Sequence, residues 1–218
     1  MTRFSASLFC LVALLAAAPL SAQEKDQEAH KLLKKVERKY KGNKAMKIDY
    51  RQTIEDGDGG LISETSGRLY LHDSKFKLEV LDQVMISDGK TLWLYFKDDN
   101  EVTISDMDPE QQAIFNPSDI FTLYEKDFQY RLDGFANLDN KEYQVVRFTP
   151  NDKNEAFHTI RLYVAKNNYE IVQAMIIDKE QQKLIFRIRS LEQNISLADD
   201  FFRFSLKDHP GIRVTDTR

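Results

Sequence analysis

Cysteine is nearly absent from this sequence of 218 residues. The one cysteine, Cys10, lies inside an apolar stretch near the amino terminus. A bacterial lipoprotein signal carries its cysteine at the end of such a stretch, after a leucine and two small residues, and Cys10 does not fit that pattern. We therefore expect a mature chain without a disulfide, a thiol nucleophile or a lipid anchor of its own. An exported protein without cysteine is compatible with a bacterial periplasm.

Glycine and proline are also scarce, with 8 and 5 residues, which excludes collagen-like and low-complexity chains. Charged residues make up 30% of the sequence, which is too many for an integral membrane protein. The hydrophobic fraction of 42% is sufficient for a sizeable core. The net charge of −4 argues against binding of nucleic acid through general electrostatic attraction.

Motifs for catalysis, metal binding and nucleotide binding are missing as well. The four histidines are scattered without metal-ligand spacing, and neither a Gly-x-Ser-x-Gly elbow nor a phosphate-binding loop occurs. Asp56 and Asp58 begin like a calcium loop, but the twelfth position is Gly67 instead of glutamate. We therefore predict a protein that is not an enzyme and that has no cofactor and no metal site.

Residues 1–22 have the features of a secretory signal peptide. Arg3 supplies the positive charge, an apolar stretch covers residues 4–18, and Ala22 ends a cleavage site of small residues. The stretch is too short to span a bilayer comfortably, although an uncleaved anchor is the alternative interpretation. We expect cleavage after Ala22, which leaves residues 23–218 as one soluble, exported domain.

The mature chain is predicted to contain one helix followed mainly by strands. Apolar residues recur at helical spacing over residues 24–41, and Gly42 favours a helix end there. Alternating apolar residues and hairpin turns then predict about eleven strands. Two short helices are expected at residues 110–115 and 118–126, between the sixth and seventh strands. Such regular strand spacing is typical of a meandering antiparallel sheet that is curled or barrel-like.

Three predicted helices give little cover for so many strands. A strongly curved sheet solves this problem because it encloses its own interior, which is then either filled by side chains or left open for a ligand. The sequence contains 14 phenylalanines, and large irregular side chains leave gaps more easily than leucine and valine do. Composition and periodicity alone leave the filled core and the apolar cavity equally open.

The segment of residues 87–95 reads Ser-Asp-Gly-Lys-Thr-Leu-Trp-Leu-Tyr. It resembles the S-D-G-K-T-L-W-x-Y hairpin of the LolA family, the periplasmic carriers of outer-membrane lipoproteins. Residues 67–71, 76–80 and 116–121 resemble further elements of the same family, so that the similarity covers roughly residues 32–124. The C-terminal half agrees with the family only in its strand pattern.

The resemblance implies a mainly β fold with few helices. In this fold a curved antiparallel sheet forms an unclosed half-barrel with a helical lid, and the apolar cavity holds the acyl chains of a lipoprotein. It also implies a periplasmic carrier that accepts acylated lipoproteins from an inner-membrane ABC transporter of the LolCDE type. Delivery would be to an outer-membrane receptor of the LolB type or another acceptor. We expect a monomer that binds no nucleic acid.

Alternation and the resemblance together suggest which side chains contact the cargo, although each of them is equally compatible with an ordinary core role. The candidate cavity residues are Met46, Ile48, Tyr50, Leu69, Leu71, Phe76, Leu78 and Val80. The candidate lid residues are Leu33, Val36, Ile114, Phe115, Ile120, Phe121 and Leu123. Trp93 and Tyr95 share one face of their strand, but the sequence does not say which face it is.

The sequence departs from the family at one position. Well-known members carry an arginine that holds the lid, in a Lys-Arg-Pro element before the strand that contains Phe76. Here the corresponding stretch is His72-Asp73-Ser74. Arg68 or Lys75 is a candidate replacement, and closure by apolar contact alone is the other possibility.

Charge is unevenly distributed along the chain. Nine lysines and arginines stand against two acids over residues 31–51. This segment can attract an acidic receptor patch, and a simple solvated face is the alternative.

Two other functions are compatible with the same fold. One is an extracytoplasmic regulatory module that senses lipid or lipoprotein and pairs with an anti-sigma-type membrane protein. The other is a hydrolase that acts in the cavity, for which the sequence offers no catalytic residues.

Overall fold

The computed structural model describes residues 20–42, 44–107, 120 and 125–218. These residues form one α-helix and twelve strands. The helix α1 covers Leu20–Tyr40, and the strands are β1 (Met46–Glu55), β2 (Leu61–His72), β3 (Lys75–Val80), β4 (Gln83–Ser87), β5 (Thr91–Phe96), β6 (Glu101–Asp106), β7 (Phe128–Leu138), β8 (Lys141–Pro150), β9 (Phe157–Ala165), β10 (Ile171–Asp178), β11 (Lys183–Gln193) and β12 (Arg213–Asp216).

All twelve strands belong to one open sheet in the order β12-β6-β5-β4-β3-β2-β1-β11-β10-β9-β8-β7. Its two edge strands, β12 and β7, do not pair with each other, so the sheet is not closed into a barrel. Neighbouring strands are antiparallel, except that β12 runs parallel to β6. The predicted mainly β, unclosed antiparallel half-barrel is confirmed, and the pairing of β1 with β11 joins its two halves.

Helix α1 packs against the concave face of the sheet. Its apolar residues recur at positions i, i+3, i+4 and i+7, which places them on one side of the helix. These residues are Ala29, Leu32, Leu33, Val36 and Tyr40, and all are at most 5% exposed. The Tyr40 hydroxyl accepts a hydrogen bond from the Ile171 amide at 3.0 Å, which fixes the end of the helix to β10.

The interior forms one apolar cluster between α1 and the strands that curve around it. Besides the helix residues it contains Met46, Ile48, Leu71, Phe76, Leu92, Val146, Phe148, Ile160, Leu162, Val164, Ile171 and Ala174. Strands from both halves of the sheet contribute to this cluster. The sheet therefore curls around the helix instead of lying flat beneath it.

In the family-like segment at residues 87–95, residues 88–90 form a tight turn between β4 and β5, and residues 91–95 belong to β5. The Asp88 side chain accepts hydrogen bonds from the amides of Lys90 (3.0 Å) and Thr91 (2.9 Å). Gly89 has a φ of +89°, a conformation in which a side chain is strained. The geometry of the turn thus explains the aspartate and the glycine of this segment.

A second apolar cluster lies on the convex face. Antiparallel pairing places Trp93 opposite Ile86 and Ile104, and Tyr95 opposite Val84 and Val102. These four aliphatic side chains are at most 7% exposed, yet they do not belong to the concave cluster. Trp93 and Tyr95 therefore face outward, which the sequence alone left open.

The segment after β11 covers this convex cluster with aromatic side chains. The Phe201 ring packs edge-on against Tyr70, with ring centroids 4.8 Å apart, and Phe202 is only 4% exposed. Phe204 and His209 stack on each other and both contact Tyr95, at centroid distances of 5.0 and 4.6 Å. We call residues 199–209 the C-terminal segment.

Several details differ from the sequence predictions. The helix extends over Leu20–Tyr40, whereas residues 24–41 were expected. Strand β12 was not predicted, because its four residues are all exposed and show no apolar alternation. The two short helices expected at residues 110–115 and 118–126 fall almost entirely outside the described residues.

Candidate functional site

The concave face changes character along β1. Met46, Ile48 and Tyr50 are 5–7% exposed, whereas the next inward-facing residues, Gln52 and Ile54, are half-buried. Gln52 lies opposite Thr65 of β2, so polar side chains enter the concave face near the hairpin at residues 56–60. The concave face is therefore buried and apolar near the end of α1, and it is more accessible and partly polar near this hairpin.

All eight candidate cavity residues lie on the concave faces of β1, β2 and β3, as the alternation predicted. Those that are buried are Met46, Ile48, Tyr50, Leu71 and Phe76, and those that are half-buried are Leu69, Leu78 and Val80. The structure brings them together on one surface. Contact with a cargo molecule stays a prediction for each of them.

Further apolar residues complete this surface from strands outside the set of candidates. Phe186, Ile188 and Leu191 of β11 and Met85 of β4 are partly buried and pack against the concave cluster. Sequence reasoning omitted the β11 residues because it took its candidates from the region of resemblance. The apolar alternation within β11 was the available signal.

The candidate lid residues are only partly described. Leu33 and Val36 of α1 are 3% and 1% exposed and belong to the concave cluster. Ile120 is partly buried and packs against the same cluster. The remaining candidates, Ile114, Phe115, Phe121 and Leu123, lie outside the described residues.

Neither candidate for the missing lid arginine faces the interior. The Arg68 Nε donates a hydrogen bond to Asp49 at 2.8 Å on the convex face, and Ser190 donates to the same carboxylate at 2.9 Å. This hydrogen bond from Arg68 lowers the pKa of the Asp49 carboxyl below its usual value. Lys75 alternates with the inward-facing Phe76 and thus also points outward.

Contacts across the gap between helix and sheet hold α1 in place. Lys39 forms an ion pair with Glu170 at 3.1 Å, and His30 Nδ1 lies 2.8 Å from the Tyr130 hydroxyl on β7. The Lys35 ammonium lies 4.9 Å from the centre of the Tyr169 ring. Part of the positive charge of residues 31–51 is therefore engaged within the molecule, and its attraction to an acidic partner stays a prediction.

A groove of about 500 Å³ crosses β1, β2 and β3. Polar residues of the convex face, among them Asp49, Arg68 and Glu79, line it beside Tyr50 and Gly67, so this groove does not belong to the apolar concave surface. Among the described residues, no group of three or more histidine, cysteine, aspartate or glutamate side chains is arranged to hold a metal ion. Nor is any helix within these residues long and apolar enough to cross a membrane.

The sequence matches those of known lipoprotein carriers. It is 26% identical over 172 residues to an outer-membrane lipoprotein carrier protein of Coxiella burnetii, covering 76% of this chain and 77% of the relative. It is 29% identical over 180 residues to the protein of that name in Pseudomonas aeruginosa, covering 79% and 82%.

Structural and family comparisons agree with this match. The crystal structure of an uncharacterized conserved protein from Thermus thermophilus superimposes with a TM-score of 0.59 at 14% identity, covering 88% of this chain and 100% of the other, which shows a shared fold. The family model "Outer membrane lipoprotein carrier protein LolA" matches residues 41–205. This match spans most of the chain, so the protein belongs to the LolA family of carrier proteins.

Proposed function

We propose that this protein is a periplasmic carrier that shields the acyl chains of lipoproteins on its concave face. Residues 1–22 act as the signal for export, and residues 23–218 act as the carrier domain. The carrier receives its cargo from an inner-membrane ABC transporter of the LolCDE type and passes it to an outer-membrane acceptor of the LolB type. The same proposal makes the protein a binding and transfer protein without catalytic activity.

The observation that carries this proposal is the apolar concave face, which the described elements cover only in part. Leu69, Leu78, Met85 and Phe186 are all apolar, face inward and remain half-buried. An acyl chain that lies on such a surface removes its own methylene groups from water, at roughly 0.8 kcal/mol for each group. Membership in a family of carrier proteins supports the same interpretation.

The energetics of a shuttle favour this kind of surface. Moving an acyl chain from a bilayer to an apolar protein surface exchanges one apolar environment for another, so the net free energy change is small. The carrier can then release what it has accepted. Extraction from the membrane needs an external energy source, which is the role we assign to the ABC transporter.

A two-part experiment tests the proposed function. The protein is first purified from its native periplasm and examined by mass spectrometry for bound triacylated lipoprotein. It is then incubated with inner-membrane spheroplasts, and delivery of released lipoprotein to outer-membrane vesicles is measured. Bound lipoprotein in the first assay and delivered lipoprotein in the second support the carrier function. A cargo-free protein that transfers nothing and instead forms a stable complex with an anti-sigma-type membrane protein would identify a sensory module.

Replacement of a half-buried concave residue tests the site itself. Leu78→Gln places an amide on the apolar surface and is expected to reduce lipoprotein transfer on the order of tenfold, because the amide must lose water when the acyl chain covers it. Leu81→Gln is the matched control, since Leu81 lies in the β3–β4 turn and is 74% exposed. Equal transfer by both variants would contradict the assignment of the site. Phe76 is unsuitable for this purpose, because at 1% exposure its substitution tests folding.

A further inference from the structure

Strand β2 has a free edge over about half of its length. It pairs with β1 along residues 61–71, whereas β3 covers only residues 67–72, because β3 ends at Val80. Among the described residues, no strand lies on the other side of residues 61–66, and no further backbone hydrogen bond reaches them. This stretch, which we call the free edge, therefore presents backbone donors and acceptors to its surroundings.

The alternation of the antiparallel ladder shows which residues of the free edge direct their backbone outward. His72 and Lys75 flank the two-residue turn between β2 and β3, so they form a hydrogen-bonded pair. Every second residue of β2 from His72 then directs its N–H and C=O groups to the side of β3. In the free edge these residues are Glu64 and Ser66, so their backbone groups are open to a further strand.

The two outermost strands of the sheet are protected against such pairing. Strand β12 is only four residues long and includes the charged Arg213 and Asp216. Strand β7 is interrupted by a bulge between Leu132 and Phe135, and the Lys166 ammonium lies 4.1 Å from the centre of the Phe135 ring. Short length, charge and bulges are the usual means by which proteins prevent pairing at a sheet edge.

The free edge of β2 has little of this protection. It contains neither proline nor lysine, and Leu61 and Ile62 are 65% and 55% exposed. Its register shifts only at Ile62, next to the hairpin, so residues 63–66 form a regular strand. The one charged side chain, Glu64, is neutralised by Arg51 at 3.1 Å. An extended segment of any charge can therefore approach this edge.

The free edge borders the accessible end of the concave face. Thr65 lies within it, opposite the half-buried Gln52 of β1. The groove on the convex side opens where β3 leaves β2, and Ser66, Val80 and Leu81 are among its lining residues. A strand added to β2 would thus lie beside the concave face, with space next to the end of β3.

We propose that the free edge binds the polypeptide segment next to the acylated residue of the cargo as an added β-strand. The inference rests on the proposed carrier function and adds a peptide-binding edge to the apolar site. The polypeptide of a lipoprotein begins at the polar end of its acyl chains, so it leaves the concave face at the accessible end. Main-chain hydrogen bonds hold an added strand largely independently of its side chains, which suits a carrier of cargoes with different sequences.

The test compares two synthetic lipopeptides with the same acyl chains and the same six-residue peptide. One has ordinary peptide bonds, and the other is N-methylated at every amide, so that its backbone cannot donate. Fluorescence titration measures their affinities for the wild type, Glu64→Pro and Glu64→Ala. Both variants lose the ion pair to Arg51, but only Glu64→Pro loses the outward N–H group, a change that an edge strand tolerates.

We expect the wild type and Glu64→Ala to bind the ordinary lipopeptide about tenfold more tightly than the methylated one, the effect of one or two hydrogen bonds. Glu64→Pro should bind both with similar affinity. Hydrogen exchange of the wild type should slow at the amides of Glu64 and Ser66 when the ordinary lipopeptide binds, and the amides of residues 213–216 in β12 serve as the internal control.

The outcomes separate this inference from the proposed function. Equal affinity of the wild type for both lipopeptides, a preference that Glu64→Pro retains, or unchanged exchange at Glu64 and Ser66 overturns the added strand and leaves the carrier function intact. Protection of the same amides in a cargo-free dimer would identify a second copy of the chain as the occupant and also overturn it. Failure of the wild type to bind either lipopeptide overturns both proposals. The wild-type measurements decide the question even if Glu64→Pro folds poorly.

Discussion

At the scale of single residues, the concave face depends on the close approach of Tyr50 to Gly67. A Cβ atom on Gly67 would lie 2.3 Å from the Tyr50 hydroxyl oxygen and 2.9 Å from the Glu79 carbonyl oxygen. Both distances are shorter than real contacts allow. Glycine is therefore required for a reason of space, since an aromatic side chain covers its strand at this point.

Substitution of this glycine is expected to destabilise the fold. Gly67→Ala should lower the free energy of unfolding by about 1–3 kcal/mol, because either the tyrosine or the backbone of β3 has to move. Gly57→Ala is the control, since the nearest atom to its new Cβ lies at 3.4 Å, an ordinary contact. Urea unfolding of both variants measures the difference, and equal stabilities would show that Tyr50 adapts without cost.

Alternation along a strand predicts which face a side chain occupies only where one face of the strand is polar. Period-two spacing placed Met46, Ile48 and Leu78 correctly on one surface, because each lies in a strand whose neighbours are polar and face outward. The same spacing could not orient Trp93 and Tyr95, since both faces of β5 are apolar. The outward orientation of Tyr95 is evident from its contact with Phe204, which is more than 100 residues away along the chain, and Trp93 lies on the same face of the strand.

At the scale of elements, the C-terminal segment is the second packed layer of the molecule. Its residue Phe202 is only 4% exposed, and beyond the segment the Arg213 amide, at the start of β12, donates a hydrogen bond to the Asn100 carbonyl at 2.9 Å. The segment therefore joins the end of the chain to the edge of the sheet. Nothing in the apolar pattern of the sequence distinguishes these phenylalanines from cavity residues, which is why their outward packing was not predicted.

Removal of the buried Phe202 ring should weaken the packing of the C-terminal segment on the sheet. Phe202→Ala is expected to lower the free energy of unfolding by about 3 kcal/mol, because it leaves a cavity above the convex face. Leu206→Ala in the same segment should cost less than about 0.5 kcal/mol, since Leu206 is 46% exposed. Thermal unfolding of the two variants provides the comparison. A Phe202→Ala variant as stable as Leu206→Ala would mean that the segment contributes little to the fold.

At the scale of the whole molecule, one helix is held against the concave side of an open sheet by contacts between distant parts of the sequence. Tyr40 and Ile171, which connect α1 to β10, are 131 positions apart. The helix and most of the strands were predictable from local patterns. Their relative placement was not, because it depends on such long-range pairs and on the register between β1 and β11.

The buried tyrosines make the folded state sensitive to alkali. Burial raises the pKa of Tyr40 from 10 to about 12, so the unfolded chain loses this proton before the folded chain does. The unfolded state binds fewer protons between pH 10 and 12, and the free energy of unfolding therefore falls as the pH rises through this range. Below pH 10 the full stability is present. Tyr40 alone contributes about 2 kcal/mol to the loss.

A variant without the Tyr40 hydroxyl should lose less unfolding free energy as the pH rises. Tyr40→Phe is expected to start from a lower stability at neutral pH, because it gives up the hydrogen bond to Ile171, and to lose less between about pH 9.5 and 11.5. Urea unfolding followed by circular dichroism at both pH values gives, for each protein, the change in the free energy of unfolding between them. If wild type and variant lose the same amount, ionisation of other groups accounts for the alkaline sensitivity.

The apolar layer on the convex face has a consequence for how such molecules diverge. Its residues do not belong to the concave cluster, so the strands keep one packed side whatever lines or fills the other. Substitutions that widen or narrow the interior leave this layer unchanged. Lineages built on this architecture can therefore vary the size of the interior while the scaffold retains its shape.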